Sequence, residues 1–396
     1  MNRLALIVAV SLVMSTSLAS AQEASAAGAS KVPAFTVRPG YKVTLAAESL
    51  GEARFMATAP TPGDLLLSQP NAGKILTLRD TDNDGTYETR VTFVENEKAV
   101  HSMFVKDGWV WFTSSEQGVI KKARDTTGDG IADETVVVTS DLPRGGGHAT
   151  WGVAVGVDRV FVAVSDPGNM TEEPGRNTIY SFKLDGSDKQ VFATGLRNTL
   201  KLQFRVTHDG KLTDEIWGAD HGSDWFGRPF GDRQGNQPIT DLNPPDELNH
   251  YTQGAFYGHP FIVGNRIPRQ EYVGKRDDLH ELAGKTTPPA LAYGAHWASN
   301  GFAFLSSDYF PGHKGDLVQA FHGSWNSSRR VGYCVSRVFF DPMTGLPAGI
   351  WTIVDGITPS GDNFLTRPVD VVELPSGELL FTDNQAQRIY RISKAE

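Results

Sequence analysis

The sequence holds a single cysteine, Cys334, in 396 residues. No internal disulfide can form, and no Cys-x-x-Cys-His segment is present to attach a c-type haem. If this protein moves electrons, another molecule must receive them. Positive charge is scarce relative to negative: Lys and Arg total 37 against 46 Asp and Glu, a formal net charge of -9. That balance argues against a nucleic-acid partner. Long apolar runs are missing except at the start, where Arg3 precedes an apolar stretch from Leu4 to Met14. That stretch is too short to span a bilayer, and Ala19-Ser20-Ala21 supplies a small-x-small cleavage pattern. The reading is a signal peptide over 1–21, a small polar leader over 22–34 and one domain over 35–396. The expected location is periplasmic or secreted, with no membrane span.

What the chain has in quantity is turn chemistry: 41 glycines, 22 prolines and many short apolar runs, the profile of an all-β protein. One unit recurs: a Gly- or Asp-containing turn, a short apolar run, a loop and a second strand. It reads PGDLLLSQPNAGKILTL at 62–78, DGWVWFTSSEQGVIKKA at 107–123, VDRVFVAVSDPGN…NTIYSFKL over 157–184 and DGKLTDEIWGADHG at 209–222. It returns as KGDLVQAFHGSWN…GYCVSRVFF over 314–340 and SGELLFTDNQAQRIYRI at 376–392. Further β runs lie between the units, at 41–48, 90–96, 135–142, 189–196 and 350–357. Four short strands repeated six times predict a six-bladed β-propeller, with strand 41–48 completing the last blade. A pair of β-sandwiches does not explain six copies. The segment 222–295 reads mostly as loop, and loops of that length are usually functional or disordered.

In a propeller, the link from each outer strand to the next inner strand reaches the central channel. Here those links carry Arg54, His101, His148, Arg197-Asn198, His296 and Arg367. A ring of Arg and His in an acidic protein implies an anionic ligand. Arginine presents a planar fork suited to carboxylates, and histidine is a base near neutral pH. The expected site is a funnel for a polycarboxylate with one histidine placed to abstract a proton. Three glycines directly before His148, in DLPRGGGHATWGVAV, would let backbone approach the ligand closely.

GGGHATWGVAVG…VFVAVSDPGN, VFATGLRN, PPDELNHYTQGAFYGHP, HGSWN…GYCVSRVFF and RPVDVVELPSGELLFTDN follow one another in order. Together they resemble the soluble PQQ-dependent sugar dehydrogenases, in particular the sorbosone and aldose sugar dehydrogenase group, over roughly 35–394. The resemblance implies a six-bladed propeller holding pyrroloquinoline quinone, a tricarboxylate o-quinone, with Ca²⁺ at the channel mouth. It makes His148 the general base for the sugar's anomeric hydroxyl and Arg197 the group that polarises the quinone oxygens. It assigns Asn198 and Arg367 to the cofactor, Arg367 through a carboxylate, and adds His101 and His322 as cofactor contacts. His322 stands where some relatives have lysine. Backbone carbonyls at Gly222 and Ser223 fall where the family holds the cofactor Ca²⁺. The electrons would leave to an external acceptor, a quinone or a soluble carrier. The chain departs from the family pattern after GLRN, where Thr199-Leu200 replace Pro and then Gly-Leu.

Two acidic loops, DTDNDGTYE (80–88) and DTTGDGIAD (125–133), have the spacing of calcium loops. Their candidate ligands are Asp80, Asp82 and Asp84, with Glu88, and then Asp125, Asp129 and Asp133. Asx-rich hairpin turns give the same composition. His259 and His313 read as ordinary loop residues, and Trp225 and Trp297 as candidates for a sugar-stacking wall. Two other functions stay open: a binding propeller without turnover, and a Ca²⁺-dependent lactonase-type hydrolase, which needs several carboxylates in the channel.

Overall fold

Leu65–Gln69 and Lys74–Arg79 form an antiparallel pair in which Leu65 faces Leu78 and Leu67 faces Leu76. Apolar side chains meet across the pair, while the turn between them carries Pro70, Asn71 and Gly73. This hairpin is the centre of the first blade in a computed structural model that describes residues 32–227 and 239–395. The stretch read as a signal peptide and most of that read as a leader therefore lie outside the described residues.

Each blade is an antiparallel sheet, and apart from two strands contributed by the start of the domain its strands follow in chain order from the inside out. Blade 1 comprises Met56–Thr58, Leu65–Gln69, Lys74–Arg79 and Thr89–Val94, and blade 2 comprises Val100–Lys106, Trp109–Ser114, Val119–Arg124 and Glu134–Thr139. Blade 3 is Val153–Val155, Arg159–Val164, Thr178–Lys183 and Gln190–Thr194. Blade 4 is Thr199–Val206, Leu212–Asp220, Glu247–Tyr251 and Leu291–Ala292. Blade 5 is Ser299–Phe304, Leu317–Phe321, Cys334–Phe340 and Pro347–Asp355, with Thr36–Val37 added outside. Blade 6 is Pro368–Glu373, Leu379–Asp383 and Arg388–Lys394, and its outer strand is Tyr41–Ala47 from the beginning of the domain. The first full strand thus pairs with the last, Tyr41 opposite Lys394, and closes the ring as expected.

The core lies between blades rather than at one centre. Each of six apolar clusters draws on two neighbouring blades; one joins Leu66, Ile75 and Phe93 to Val100, Val110 and Phe112. The last, between blades 5 and 6, also takes in Val32 and Phe35, so ordered packing begins inside the stretch read as leader.

On the axis the inner strands supply a plug. Lys201 of blade 4 forms a buried ion pair with Asp370 of blade 6 at 2.6 Å, and the other Asp370 oxygen accepts the Met56 amide of blade 1 at 2.9 Å. Phe55, Leu200 and Val369 pack together beside them. The segment 222–295 is less irregular than its composition suggests. ELNHY, Glu247–Tyr251, is the third strand of blade 4, and the excursion after it holds a short helix, Leu279–Lys285. Residues 228–238 of that segment lie outside the described residues.

Candidate functional site

One of the glycines before His148 has a packing reason of its own. A Cβ on Gly147 would stand 2.1 Å from the Pro167 carbonyl oxygen, so that position must be glycine. The close approach seen here is to the neighbouring loop. Arg176 holds the same turn from beneath, donating to the carbonyls of Gly145 at 2.8 Å and Arg144 at 3.0 Å. Pressed together, the two loops bring His148 Nδ1 to 2.5 Å from the Asp166 carbonyl. A carbonyl only accepts, so Nδ1 carries the hydrogen and Nε2 keeps its lone pair. Nε2 lies 3.5 Å from Arg197 Nη2. Burial, then the Arg197 guanidinium, hold His148 below its ordinary 6.5, partly opposed by the Asp166 carbonyl.

Arg197 and Asn198 sit on a turn clamped by one carboxylate. Asp220 accepts the Arg197 amide at 2.8 Å, the Asn198 amide at 2.6 Å and the Thr199 hydroxyl at 3.0 Å. Burial nevertheless pushes Asp220 up to about 6. The Arg197 side chain donates to Gly222 O and Asn169 Oδ1, each at 2.7 Å, and Asp224 lies 3.6 Å away. Its Nε is buried with no partner. Across the cleft, Arg367 donates to the carbonyls of Gly323 at 2.9 Å and His322 at 3.3 Å. Among the described residues it has no carboxylate partner. His322 Nδ1 donates to Pro368 O at 3.1 Å, and His221 Nε2 to Ser299 O at 3.0 Å. Burial keeps both rings neutral, His221 down to about 3.

His148, Arg197, Asn198, Gly222, His296, His322 and Arg367 thus line one cleft of about 230 Å³, together with His221, Asp224 and Trp325. The other expected residues fall elsewhere. His101 is fully buried; its Nε2 accepts from Arg54 Nη2 at 3.1 Å and its ring lies 4.2 Å from Phe55, so it is not a cleft wall. Ser223, expected to offer its backbone carbonyl, is not among the residues lining the cleft, and its hydroxyl bonds Trp225 O and Arg269. In the first acidic loop Asp80, Asp82 and Glu88 converge within 4.8 Å of one another. Asp84 leaves that group and accepts the Thr86 amide instead. In the second loop the carboxylates do not converge. Asp125 accepts the amides of Thr127, Gly128 and Gly130, Asp129 that of Ile131, and Asp133 that of Thr126. That loop is a self-satisfied Asx turn. Trp297 packs edge-on against Phe321, whereas Trp225 meets Trp325 edge-to-face at 6.1 Å and Trp325 is 60% exposed. Trp325 stands in the HGSWN motif but attracted no assignment of its own. His259, read as ordinary, is buried and bonded to Asp166.

A family model described as TrAA12-like matches residues 35–390. The chain belongs to the TrAA12-like family. The family is one of pyrroloquinoline quinone-dependent sugar oxidoreductases, as the motifs had suggested. Among solved structures, the Trichoderma reesei family AA12 enzyme superposes with a TM-score of 0.75 at 17% identity, over 93% of this chain and 99% of that one. The holo PQQ domain of pyranose dehydrogenase from Coprinopsis cinerea gives 0.72 at 17% identity, over 91% and 97%. PQQ-bound aldose sugar dehydrogenase from Streptomyces coelicolor gives 0.59 at 16%, over 91% and 100%. These likenesses establish the six-bladed fold. An uncharacterized protein of Borreliella burgdorferi is 27% identical over 258 residues, which is 63% of this chain; the match spans 62% of that relative.

The cleft suits such a cofactor chemically. A flat tricarboxylate needs fixed cations and free donors. Arg197 offers an unpartnered buried Nε, and Arg367 a guanidinium without a carboxylate. For calcium, the Gly222 carbonyl accepts one bond from Arg197 Nη1 and keeps a second lone pair.

Proposed function

We propose that the protein oxidises a sugar or sugar aldehyde, of aldose or sorbosone type, at its anomeric carbon and passes the electrons to an external acceptor. One observation carries this reading: His148 points an unprotonated Nε2 into a cationic cleft, 3.5 Å from Arg197, with its tautomer set by Asp166. Bound PQQ would supply a two-electron acceptor for the hydride from the sugar carbon. Arg197, Asn198, His322 and Arg367 would hold its carboxylates and quinone oxygens. His148 Nε2 would take the anomeric hydroxyl proton and release it to solvent through the cleft mouth. The imidazolium formed is favoured by the Asp166 carbonyl and by the charges of Asp224 and Asp166. Trp325 and Trp225 would form the apolar wall for the sugar ring. Calcium beside the cofactor would take the remaining lone pair of the Gly222 carbonyl, and reconstitution is run with and without it. Function in the periplasm or outside the cell belongs to the same reading. A hydrolase reading gains no support, because the axial carboxylate Asp370 is fully engaged by Lys201, Met56 and Val371.

The test is titration of purified apoprotein with PQQ, then dye reduction with a panel of aldoses and sorbosone. A His148→Ala variant that binds PQQ but does not turn over supports the assignment. Absence of PQQ binding overturns it and leaves a binding propeller.

A further inference from the structure

Asp166 gives its carbonyl to His148, but its side chain is committed elsewhere. The carboxylate is fully buried and accepts three donors: Gly168 N at 2.7 Å, Thr171 N at 3.0 Å and His259 Nε2 at 2.6 Å. The two amides belong to its own loop. His259 is the one donor from outside, 93 residues further along, in the excursion of blade 4. That histidine is itself anchored, its amide bonded to Gly195 O at 2.9 Å. Since a carboxylate only accepts, His259 Nε2 carries the hydrogen. Burial pushes His259 down to about 4, while its donated bond helps hold Asp166 well below the usual carboxylate range. Burial therefore favours a neutral imidazole donating to the carboxylate.

The loop fixed in this way delivers two groups to the cleft. The Asp166 carbonyl receives His148 Nδ1–H. Three residues on, Asn169 Oδ1 accepts Arg197 Nη2 at 2.7 Å and the Asp224 amide at 2.8 Å. One turn thus sets the base, the arginine and the carboxylate at the rim. His259 is not a wall of the cleft.

We propose that His259 is a positioning residue for the reaction: by clamping the Asp166 carboxylate it fixes the loop that sets both the tautomer of His148 and the aim of Arg197. The proposal rests on the function assigned above, but its first readout does not. In apoprotein labelled with ¹⁵N-histidine, His148 should show a single Nδ1–H tautomer in the wild type. In His259→Phe it should show a mixture, and in His259→Gln, whose amide can still reach Asp166, the single tautomer should return.

In reconstituted enzyme, His259→Phe should lower kcat on the order of tenfold to a hundredfold, the usual result of losing an outer-shell partner, with sugar KM changed less than about twofold. Removing the donor also leaves more of the Asp166 charge unscreened at His148. Of the charged groups that face His148, Asp224 and Asp166 raise its affinity for protons and Arg197 lowers it, and its own charge acts on neighbouring His221. With those unchanged, the acid limb of kcat/KM moves to higher pH in His259→Phe and returns in His259→Gln. If the phenylalanine variant does not fold, His259→Asn, polar but too short to reach Asp166, stands in for it. Equal losses in the Phe and Gln variants, or an unchanged His148 tautomer in the Phe or Asn variant, overturn the proposal. Wild-type protein that turns over no sugar sinks the function above instead, and the tautomer result is read independently.

Discussion

Gly147→Ala isolates the contact on which the aim of His148 depends. The new Cβ would lie 2.1 Å from the Pro167 carbonyl oxygen, whereas real Cβ atoms essentially never come within 3.0 Å of a neighbour. The loops must part by about 0.9 Å to satisfy that limit, the difference between those two distances. Pro167 directly follows Asp166, whose carbonyl sits 2.5 Å from His148 Nδ1. Adding the displacement stretches that contact to about 3.4 Å, beyond a good N–H···O bond. Freed of its partner, the imidazole loses its single tautomer and its aim. A misplacement of about 1 Å lowers catalysis about a hundredfold, and overpacking costs about 1–3 kcal/mol of stability. The assay is dye reduction at saturating sugar with the PQQ-loaded variant, beside PQQ titration and urea unfolding. The expected result is a hundredfold fall in kcat with PQQ affinity near wild type. Gly145→Asn is the control: nothing lies within 4 Å of its Cβ, and its φ of +58 suits asparagine. Wild-type kcat in Gly147→Ala, or an equal loss in Gly145→Asn, would refute the reasoning.

Three further outcomes follow from the same geometry. Burial and Arg197 hold the folded-state affinity of His148 for protons down, so the acid limb of kcat/KM lies below pH 6.5; a limb above 7 contradicts the assigned base. Burial pushes Glu247 up from 4.5 to about 8. Between those values the folded chain keeps a proton that the unfolded chain gives up, so stability falls as pH rises through that window. Urea unfolding in calcium-free buffer at pH 5 and pH 8 should show the decline, and Glu247→Gln should reduce it. Trp325→Ala, which removes the most exposed aromatic ring of the cleft, should raise sugar KM about tenfold with kcat unchanged, as expected for about 1–1.5 kcal/mol of stacking. An unchanged KM removes Trp325 from the substrate wall.

Outer strands were legible because they are half exposed. Tyr41–Ala47 and Pro347–Asp355 alternate between covered and open positions, the period that marks a strand. Ser299–Phe304, an inner strand, is buried at every residue and shows no alternation. Glu247–Tyr251 was read as loop because its residues are polar; Asn249 is fully buried, and the strand bonds on both sides. The links bearing Arg54, His148, Arg197 and Arg367 stood out because a propeller puts such links on its axis. The partners that aim them did not. Gly147 meets Pro167, and His259 meets Asp166, only after separate loops pack together, and no local pattern encodes that. The second acidic loop is ambiguous in sequence for a different reason. Carboxylates that serve backbone amides have the same spacing as carboxylates that bind a cation.

The Lys201–Asp370 pair has a consequence for the order of events. Because the axis is filled, the cleft and the hollow at the far end of the channel share no wall residue. Among the described residues, the Lys201–Asp370 plug separates the cleft from that hollow. On the proposed reaction, the sugar enters, leaves as product and vacates the mouth before an oxidant takes its place. Such traffic obeys a double-displacement rate law: reciprocal plots at different acceptor concentrations run parallel, and an excess of either reactant slows the other half of the cycle by occupying the shared entrance.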